Sequence, residues 1–341
     1  MTQFDHLSPV KRHDENFAYR LARPPRQRLP YTRVLITGGA GFIGSHLAEA
    51  LCALGAQVVV LDDLSGGSTE NLTGFSLEFI QGSILDKPLL ARATADCNYV
   101  FHQAALGSVP RSVEQPVLYN EVNTTGTLNV LEAARAAKVQ RVMFAASSSA
   151  YGDNPVPWIE SLPPQPKSPY AATKLGDEGL LRAYANSYGL DTVSLRYFNI
   201  FGPRQNANSA YAAVIAAFAK ALLAGQRPII YGDGEQSRDF TYIANVVHAN
   251  LLAAHSPTPL LGEVINVGCG SQISVNQLAA EMARMLNRPD LKPVHHPERV
   301  GDIKHSFADI TRARQLLNYQ PLTPFGPGLE TTVAWYRQTM K

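Results

Sequence analysis

Apolar positions fall along this chain in two alternating rhythms. Unbroken runs such as Val34-Leu35-Ile36, Val58-Val59-Val60-Leu61, Phe79-Ile80, Val100-Phe101 and Val142-Met143-Phe144-Ala145-Ala146 are short and closed by polar or turn residues. That is the pattern of strands buried on both faces. Between them, stretches such as 42 to about 54 and 117–137 carry apolar residues at helical spacing. Strands and helices that alternate in this way predict a parallel, doubly wound α/β sheet. Two later strands, one running into Asn199 and one at 262–268, return to it. The expected organisation is an extension over 1–30, a sheet domain of 31–198 plus about 242–278, and a smaller, interleaved C-terminal domain of 199–241 plus about 279–341. In the extension, Pro24, Pro25 and Pro30 interrupt any helix.

The first strand empties into Thr37-Gly38-Gly39-Ala40-Gly41-Phe42-Ile43-Gly44, and a helix follows. Gly38 allows a tight turn, Gly41 a close approach of backbone to a pyrophosphate, and Gly44 the packing of helix on strand. The helix N-terminus offers free N–H groups to phosphates. Asp62 closes the second strand, where a carboxylate accepts ribose hydroxyls and repels a 2′-phosphate. The turn and its context therefore predict a Rossmann dinucleotide site for NAD rather than NADP. Asp63, Ser65 and Gly67 lie in the loop beside the expected ribose.

Composition narrows the setting. A formal charge of +2 argues against a nucleic-acid partner, and no apolar run approaches a membrane span. Residues 1–30 lack the apolar core of a secretory signal. Cys52, Cys97 and Cys269 are odd in number and without metal-ligand spacing. They read as small hydrophobes in a reducing compartment. A cytoplasmic enzyme without metal is expected.

The candidate chemistry lies further on. The fifth strand empties into Ser147-Ser148-Ser149, and Tyr170-Ala171-Ala172-Thr173-Lys174 opens a helix after Pro169. A four-residue spacing sets Tyr170 and Lys174 on one helical face, so an ammonium can sit near a phenol. A phenol titrates near pH ~10 unperturbed, and positive charge beside it lowers that value toward a usable base. A hydroxyl at Ser147 can reach the same substrate oxygen. A Tyr-x-x-x-Lys alone is a common surface pair; its place behind this turn and serine loop makes it a candidate catalytic set.

With Leu-Arg-Tyr-Phe-Asn-Ile-Phe-Gly-Pro-Arg (195–204), Gly-Asp-Gly-Glu-Gln-Ser-Arg-Asp-Phe (232–240) and Arg-Val-Gly-Asp (299–302), these motifs resemble the extended short-chain dehydrogenase/reductase family. The likeness runs from about residue 32 to the C-terminus and is greatest toward the UDP-hexose 4-epimerases, in particular the bacterial UDP-N-acetylglucosamine 4-epimerases of surface-polysaccharide synthesis. It implies that Tyr170, assisted by Ser147 and Lys174, takes the 4-hydroxyl proton while NAD takes the C4 hydride and returns it to the opposite face. It implies a cofactor site that adds Phe42 and Ile43 to the glycines, Ser83 and Ile84 near the adenine, Gln103, Ala104, Ala105 and Asn123 along the strand ends, and Phe198 against nicotinamide. Ser83 departs from the aspartate common at that position, although a hydroxyl can still accept the adenine bond.

The same likeness implies a UDP-sugar site. Ser108, Ser147, Ser148, Ser149 and Asn199 would face the sugar or diphosphate, and Arg238 and Arg299 would grip the diphosphate. Ala213, Val214, Tyr231 and Asp302 would hold the uridine, and Ser306, small where plain hexose enzymes have tyrosine, would admit an N-acetyl group. Uronic acid forms stay open, because Arg111, Lys167 and Arg204 can each face a carboxylate. Related 4,6-dehydratases and UDP-glucuronate decarboxylases place carboxylates where this chain has Ser148 and Ser149, which favours epimerisation over either lyase. A non-catalytic NAD-binding scaffold is the remaining alternative; such proteins lose the tyrosine or lysine kept here. The family pairs the helix of 117–137 and the one near Tyr170 across a two-fold axis, so a homodimer is expected.

Overall fold

All seven apolar runs that read as strands lie in one parallel sheet, in a computed structural model that describes residues 32–207, 213–298 and 303–340. The chain begins β1 (Arg33–Thr37), α1 (Phe42–Ala53), β2 (Gln57–Asp62), β3 (Glu78–Gln81), α2 (Lys87–Thr94) and β4 (Tyr99–His102). It continues through α3 (Val109–Glu114), α4 (Pro116–Tyr119), α5 (Gly126–Ala136), β5 (Arg141–Ser147), α6 (Pro169–Tyr188) and β6 (Thr192–Tyr197). Next come β7 (Ile200–Phe201), α7 (Val214–Leu223), β8 (Ile229–Tyr231), β9 (Ser237–Arg238), β10 (Thr241–Tyr242), α8 (Ile243–His255) and β11 (Glu263–Val267). The last elements are β12 (Ile273–Ser274), α9 (Val275–Met285), β13 (Val294–His296), α10 (Thr311–Leu317) and α11 (Phe325–Thr339).

The strand order is β11-β6-β5-β4-β1-β2-β3, with every pair parallel. Successive strand residues point to opposite faces, so each strand feeds two cores. Val34, Ile36, Val58 and Val60 join Leu47 and Leu51 of α1 and Val246 and Val247 of α8 on one face. Leu35, Val59 and Leu61 join Leu90 of α2, Leu131 of α5 and Leu181 of α6 on the other. The order reverses between β1 and β4, so the strand ends at Thr37 and His102 splay the following loops apart. That is where a crevice opens in sheets of this kind.

The 117–137 stretch is helical but not one regular helix. A π-helical turn over Asn120–Thr125 separates α4 from α5. The helix passes closely over Ile84 at Gly126, where a Cβ would lie 2.4 Å from the Ile84 Cδ1. The widened turn before it points Asn123 inward, 1% exposed. Beyond β6 the chain makes small pairs outside the sheet: β7 with β10, β8 with β13, and β9 with β12. These carry Asn199, Tyr231 and Arg238 to the far side of the crevice.

Candidate active site

A cavity of about 920 Å³ runs along the C-terminal strand ends. One end is walled by the glycine turn, Asp62, Asp63, Ser65, Gly67, Ser83 and Ile84. Gln103, Ala104 and Ala105 follow β4 into its middle, and Ser147, Ser148, Ser149, Tyr170 and Lys174 face them. Asn199, Ala213, Arg238 and Ser306 close the other end. A second hollow of about 280 Å³ shares Asn199, Ala213 and Arg238 and adds Val214 and Tyr231.

The turn is shaped by what it omits. Gly38 has φ +68°, and a Cβ there would fall 2.7 Å from the Ala104 nitrogen. A Cβ on Gly44 would fall 2.2 Å from the Gly38 oxygen. No side chain caps α1 at Gly41, so its first N–H groups stay available to an anion. Asp62 braces the loops: its carboxylate accepts from Ala40 N at 2.9 Å and Leu64 N at 2.8 Å. Burial pushes its pKa up while these backbone bonds pull it down. Two carboxylate oxygens have about four acceptor positions, so capacity remains for ribose hydroxyls. Ser83 accepts from Leu85 N at 3.2 Å and retains its own proton to donate. An uncapped helix start, a cleared turn and a carboxylate at the β2 end together fit a dinucleotide without a 2′-phosphate.

Tyr170 occupies the second position of α6, after an N-cap in which Ser168 Oγ accepts from Ala171 N at 3.1 Å. Burial raises the phenol pKa, and a hydrogen bond from Ser147 pulls it down. Ser147 Oγ itself accepts from Ser149 N at 3.2 Å and Ser149 Oγ at 2.8 Å, which fixes its rotamer toward the cavity end of β5. Lys174 is 3% exposed, and its Nζ lies 4.5 Å from the centroid of the Phe144 ring. Burial lowers it to about 8, against the pull of Asp177 and Glu178. The expected ammonium–phenol contact is therefore not the main influence on Tyr170. Burial wins, and Ser147 is the group that opposes it.

Two expected contacts are absent from the cavity wall. Phe198 is fully buried and packs against Tyr151 and Trp158, with ring centroids 6.2 and 5.9 Å away. Its neighbours Tyr197 and Asn199 line the cavity, so strand alternation turns Phe198 the other way. Asn123 instead clamps the loop after β4: its Oδ1 accepts from Leu106 N at 2.8 Å, and its Nδ2 donates to Leu106 O and Thr173 Oγ1. Arg299 and Asp302, like the 1–30 extension, lie outside the described residues.

Three lining aromatics went unmarked in the sequence. Tyr119 accepts from Ser108 N at 3.1 Å, Tyr197 donates to Gln103 Oε1 at 3.3 Å, and Trp158 closes the wall beneath the serines. The signal for Tyr197 was its place two residues before Asn199. Ser108, also lining, caps α3 by accepting from Arg111 N at 3.3 Å. Arg238 is aimed by two backbone carbonyls, donating to Ser237 O at 3.0 Å and Lys304 O at 3.1 Å. Asn199 Nδ2 donates to Ser306 Oγ at 2.9 Å. Among the described residues no helix is long and apolar enough to cross a membrane.

Known proteins are similar to this chain in sequence and fold. A UDP-glucose 4-epimerase of Mycolicibacterium smegmatis is 41% identical over 312 residues, covering 89% of this chain and 98% of the relative. The structure of a UDP-N-acetylglucosamine 4-epimerase from Methanobrevibacter ruminantium, in complex with UDP-N-acetylmuramic acid, superposes with a TM-score of 0.87 at 42% identity. It covers 92% of this chain and 100% of its own. A UDP-glucose 4-epimerase from Thermus thermophilus, in complex with NAD, has a TM-score of 0.82 at 38% identity, covering 90% and 99%. A family model matches residues 34–268, and by that match and these identities the chain belongs to the NAD dependent epimerase/dehydratase family.

Proposed function

We propose that this protein is an NAD-dependent UDP-hexose 4-epimerase acting on UDP-N-acetylglucosamine and UDP-N-acetylgalactosamine. One observation carries the choice among related chemistries. Asp62 and Asp63 are the only acids lining the cavity among its described residues, and both stand at the glycine-turn end. Around Tyr170 the wall offers hydroxyls, an amide and cations. Among the described lining residues, a ketone formed at C4 there meets no carboxylate able to remove a C5 proton or protonate a leaving C6 hydroxyl. A lyase lacks its groups, and return to the alcohol is what remains.

NAD, held by the glycine turn, Asp62 and the β4 end, supplies the acceptor and donor for the C4 hydrogen when bound. Tyr170 takes the 4-hydroxyl proton and gives it back after the sugar has turned. Ser147 hydrogen-bonds the same oxygen and holds the phenol in line. Arg238 binds the diphosphate through its guanidinium fork, so the sugar can swing while the nucleotide stays fixed. The short Ser306 side chain leaves room for an acetamido group. We place the enzyme in the cytoplasm as a homodimer that supplies N-acetylated sugars for surface polysaccharides. Exposed Val113 and Val117, at 64% and 79%, supply apolar surface for that pairing.

The test is purified protein with UDP-N-acetylglucosamine, followed by NMR. The expected product is an isomer of equal mass, and Tyr170→Phe should lower kcat by about 10²–10⁴-fold with NAD content unchanged. A 4-keto-6-deoxy sugar would make the enzyme a dehydratase. From UDP-glucuronate, a pentose would make it a decarboxylase. Unchanged turnover in Tyr170→Phe would remove the phenol from the mechanism.

A further inference from the structure

Asp239 stands behind the sugar end of the cavity without lining it. It follows Arg238 directly after β9 and is fully buried. A carboxylate in that position is costly unless hydrogen-bond donors meet it. Backbone N–H groups do so here: Oδ1 accepts from Cys269 N at 2.9 Å, and Oδ2 accepts from Gly270 N at 3.0 Å and Ala308 N at 3.2 Å. Burial raises its pKa to about 6 against these bonds, so the group is charged at neutral pH.

The donors come from two segments far apart in sequence. Cys269 and Gly270 lie in the loop after β11, and Ala308 ends a strip, 304–308, that runs beside β9. Ser237 N donates to Lys304 O and Ser306 N donates to Ser237 O, both at 3.0 Å, which fixes the register of the strip. Ser306 on this strip lines the cavity, and Lys304 O accepts from the Arg238 guanidinium at 3.1 Å. The backbone oxygen of Asp239 accepts from Asn199 Nδ2 at 3.2 Å, and the same nitrogen donates to Ser306 Oγ at 2.9 Å. One buried residue therefore relates Arg238, Ser306 and Asn199 to each other. The packing around it leaves little play, since a Cβ on Gly268 would fall 2.6 Å from the Ala308 Cβ and 2.9 Å from Asp239 Oδ2.

We propose that Asp239 is a positioning residue for substrate binding: its carboxylate clamps the 304–308 strip to the loop after β11, and so sets where Arg238 meets the diphosphate and Ser306 meets the sugar. The inference rests on the reading of this end of the cavity as a UDP-sugar site. Asparagine at 239 has the same shape but one acceptor oxygen and an NH2 group, so at least one backbone N–H would face a donor. The strip would remain attached, because on its other side Trp158 N donates to Phe307 O at 2.8 Å and Asp309 N donates to Trp158 O at 3.0 Å. What the substitution alters is where the strip lies relative to Arg238.

The test is a double-mutant cycle on the NAD-loaded enzyme, read as KM and kcat with UDP-N-acetylglucosamine and as the Kd for UDP alone by calorimetry. Asp239→Asn should raise KM and Kd about ten-fold, the scale of one buried donor left without an acceptor, with kcat within about three-fold of wild type and NAD content unchanged. Placed on Arg238→Ala, the same change should raise Kd much less, because the group it positions is already gone. If Asp239→Asn folds poorly, Gly268→Ala decides: it keeps the acid, forces Ala308 and Asp239 apart, and should give the same rise in KM and the same coupling to Arg238→Ala. Additive effects in the cycle, or a fall in kcat with KM in place, would reduce Asp239 to packing and overturn the proposal. Wild-type protein that neither epimerises UDP-N-acetylglucosamine nor binds UDP would defeat the reading beneath it, and the proposal with it.

Discussion

Asn199 and Ser306 are joined by a 2.9 Å hydrogen bond between an amide from the β6 end and a hydroxyl 107 residues later. Both line the sugar end of the cavity, and Ser306 is 4% exposed. Any larger residue at 306 must intrude on that space. Ser306→Tyr is expected to cut kcat/KM for UDP-N-acetylglucosamine by at least about ten-fold relative to UDP-glucose, the scale of a steric loss of 1–3 kcal/mol. Paired assays of the two substrates check it. An unchanged ratio would separate Ser306 from specificity.

A second prediction concerns sugars that carry a carboxylate. Of the three cations open to that role, Lys167 pairs with Asp153 at 2.6 Å and Arg204 with Glu49 at 2.6 Å. Arg111 alone lines the cavity with no carboxylate partner among the described residues, on α3, which packs on α6. A charge-assisted bond of about 1.5–3 kcal/mol follows if a uronate reaches it. Arg111→Met should therefore lower kcat/KM for the uronate form about ten-fold or more and leave the neutral sugar within two- to three-fold of wild type. Equal losses on both substrates would place Arg111 elsewhere in the mechanism.

The sheet and the glycine turn were legible because each rests on a local rule. Short apolar runs rich in β-branched residues and closed by turn residues read as buried strands, and Gly38 and Gly44 stand where backbone leaves no space for a Cβ. Tyr170 and Lys174 were legible as residues, but the partner of the ammonium was not. Helical spacing gives a shared face, whereas the Phe144 ring beneath Lys174 comes from a strand 30 residues earlier. The burial of Phe198 was not legible, because the sequence does not show that Tyr197 and Asn199 take the cavity side while the ring between them packs on Tyr151 and Trp158. The π-helical turn at Asn120–Thr125 depends on how close Ile84 approaches Gly126, a contact across 42 residues that no local pattern encodes.

The turn supplies a third prediction. Gly44→Ala sets a Cβ against the backbone of Gly38 and Gly39, neither of which is a flexible side chain that can move aside. The expected result is a loss of about 1–3 kcal/mol in stability together with loss of co-purifying NAD. Cofactor content by absorbance and unfolding by urea check the two parts. Full NAD occupancy at wild-type stability would mean that the turn relaxes more easily than its contacts suggest.

The last prediction is a pH dependence of stability that can be isolated to one residue. His46 on α1 is buried and bonds Pro203 O through Nε2 at 2.9 Å, tying the dinucleotide helix to the segment that leads away from Asn199. Burial, then the charge of Arg204, lowers its pKa to about 3. The unfolded chain takes up a proton there below about 6.5, while the folded chain does not until about 3. The unfolded state thus binds more protons in between, and stability falls as pH drops from 6.5 toward 3, by about 1.4 kcal/mol per unit. His102 acts in the same sense, whereas Asp177 and Asp239, raised by burial to about 7 and about 6, act in the opposite one. The wild-type slope alone therefore assigns nothing. The difference between wild type and His46→Gln cancels the shared groups, and Gln retains an N–H for Pro203. Between pH 7.5 and 5.5 that variant should gain about 1.4 kcal/mol on wild type in urea unfolding, most of it below pH 6.5. A difference that stays flat across this range would mean that His46 is protonated in the folded protein, and its bond to Pro203 would then have to be charged.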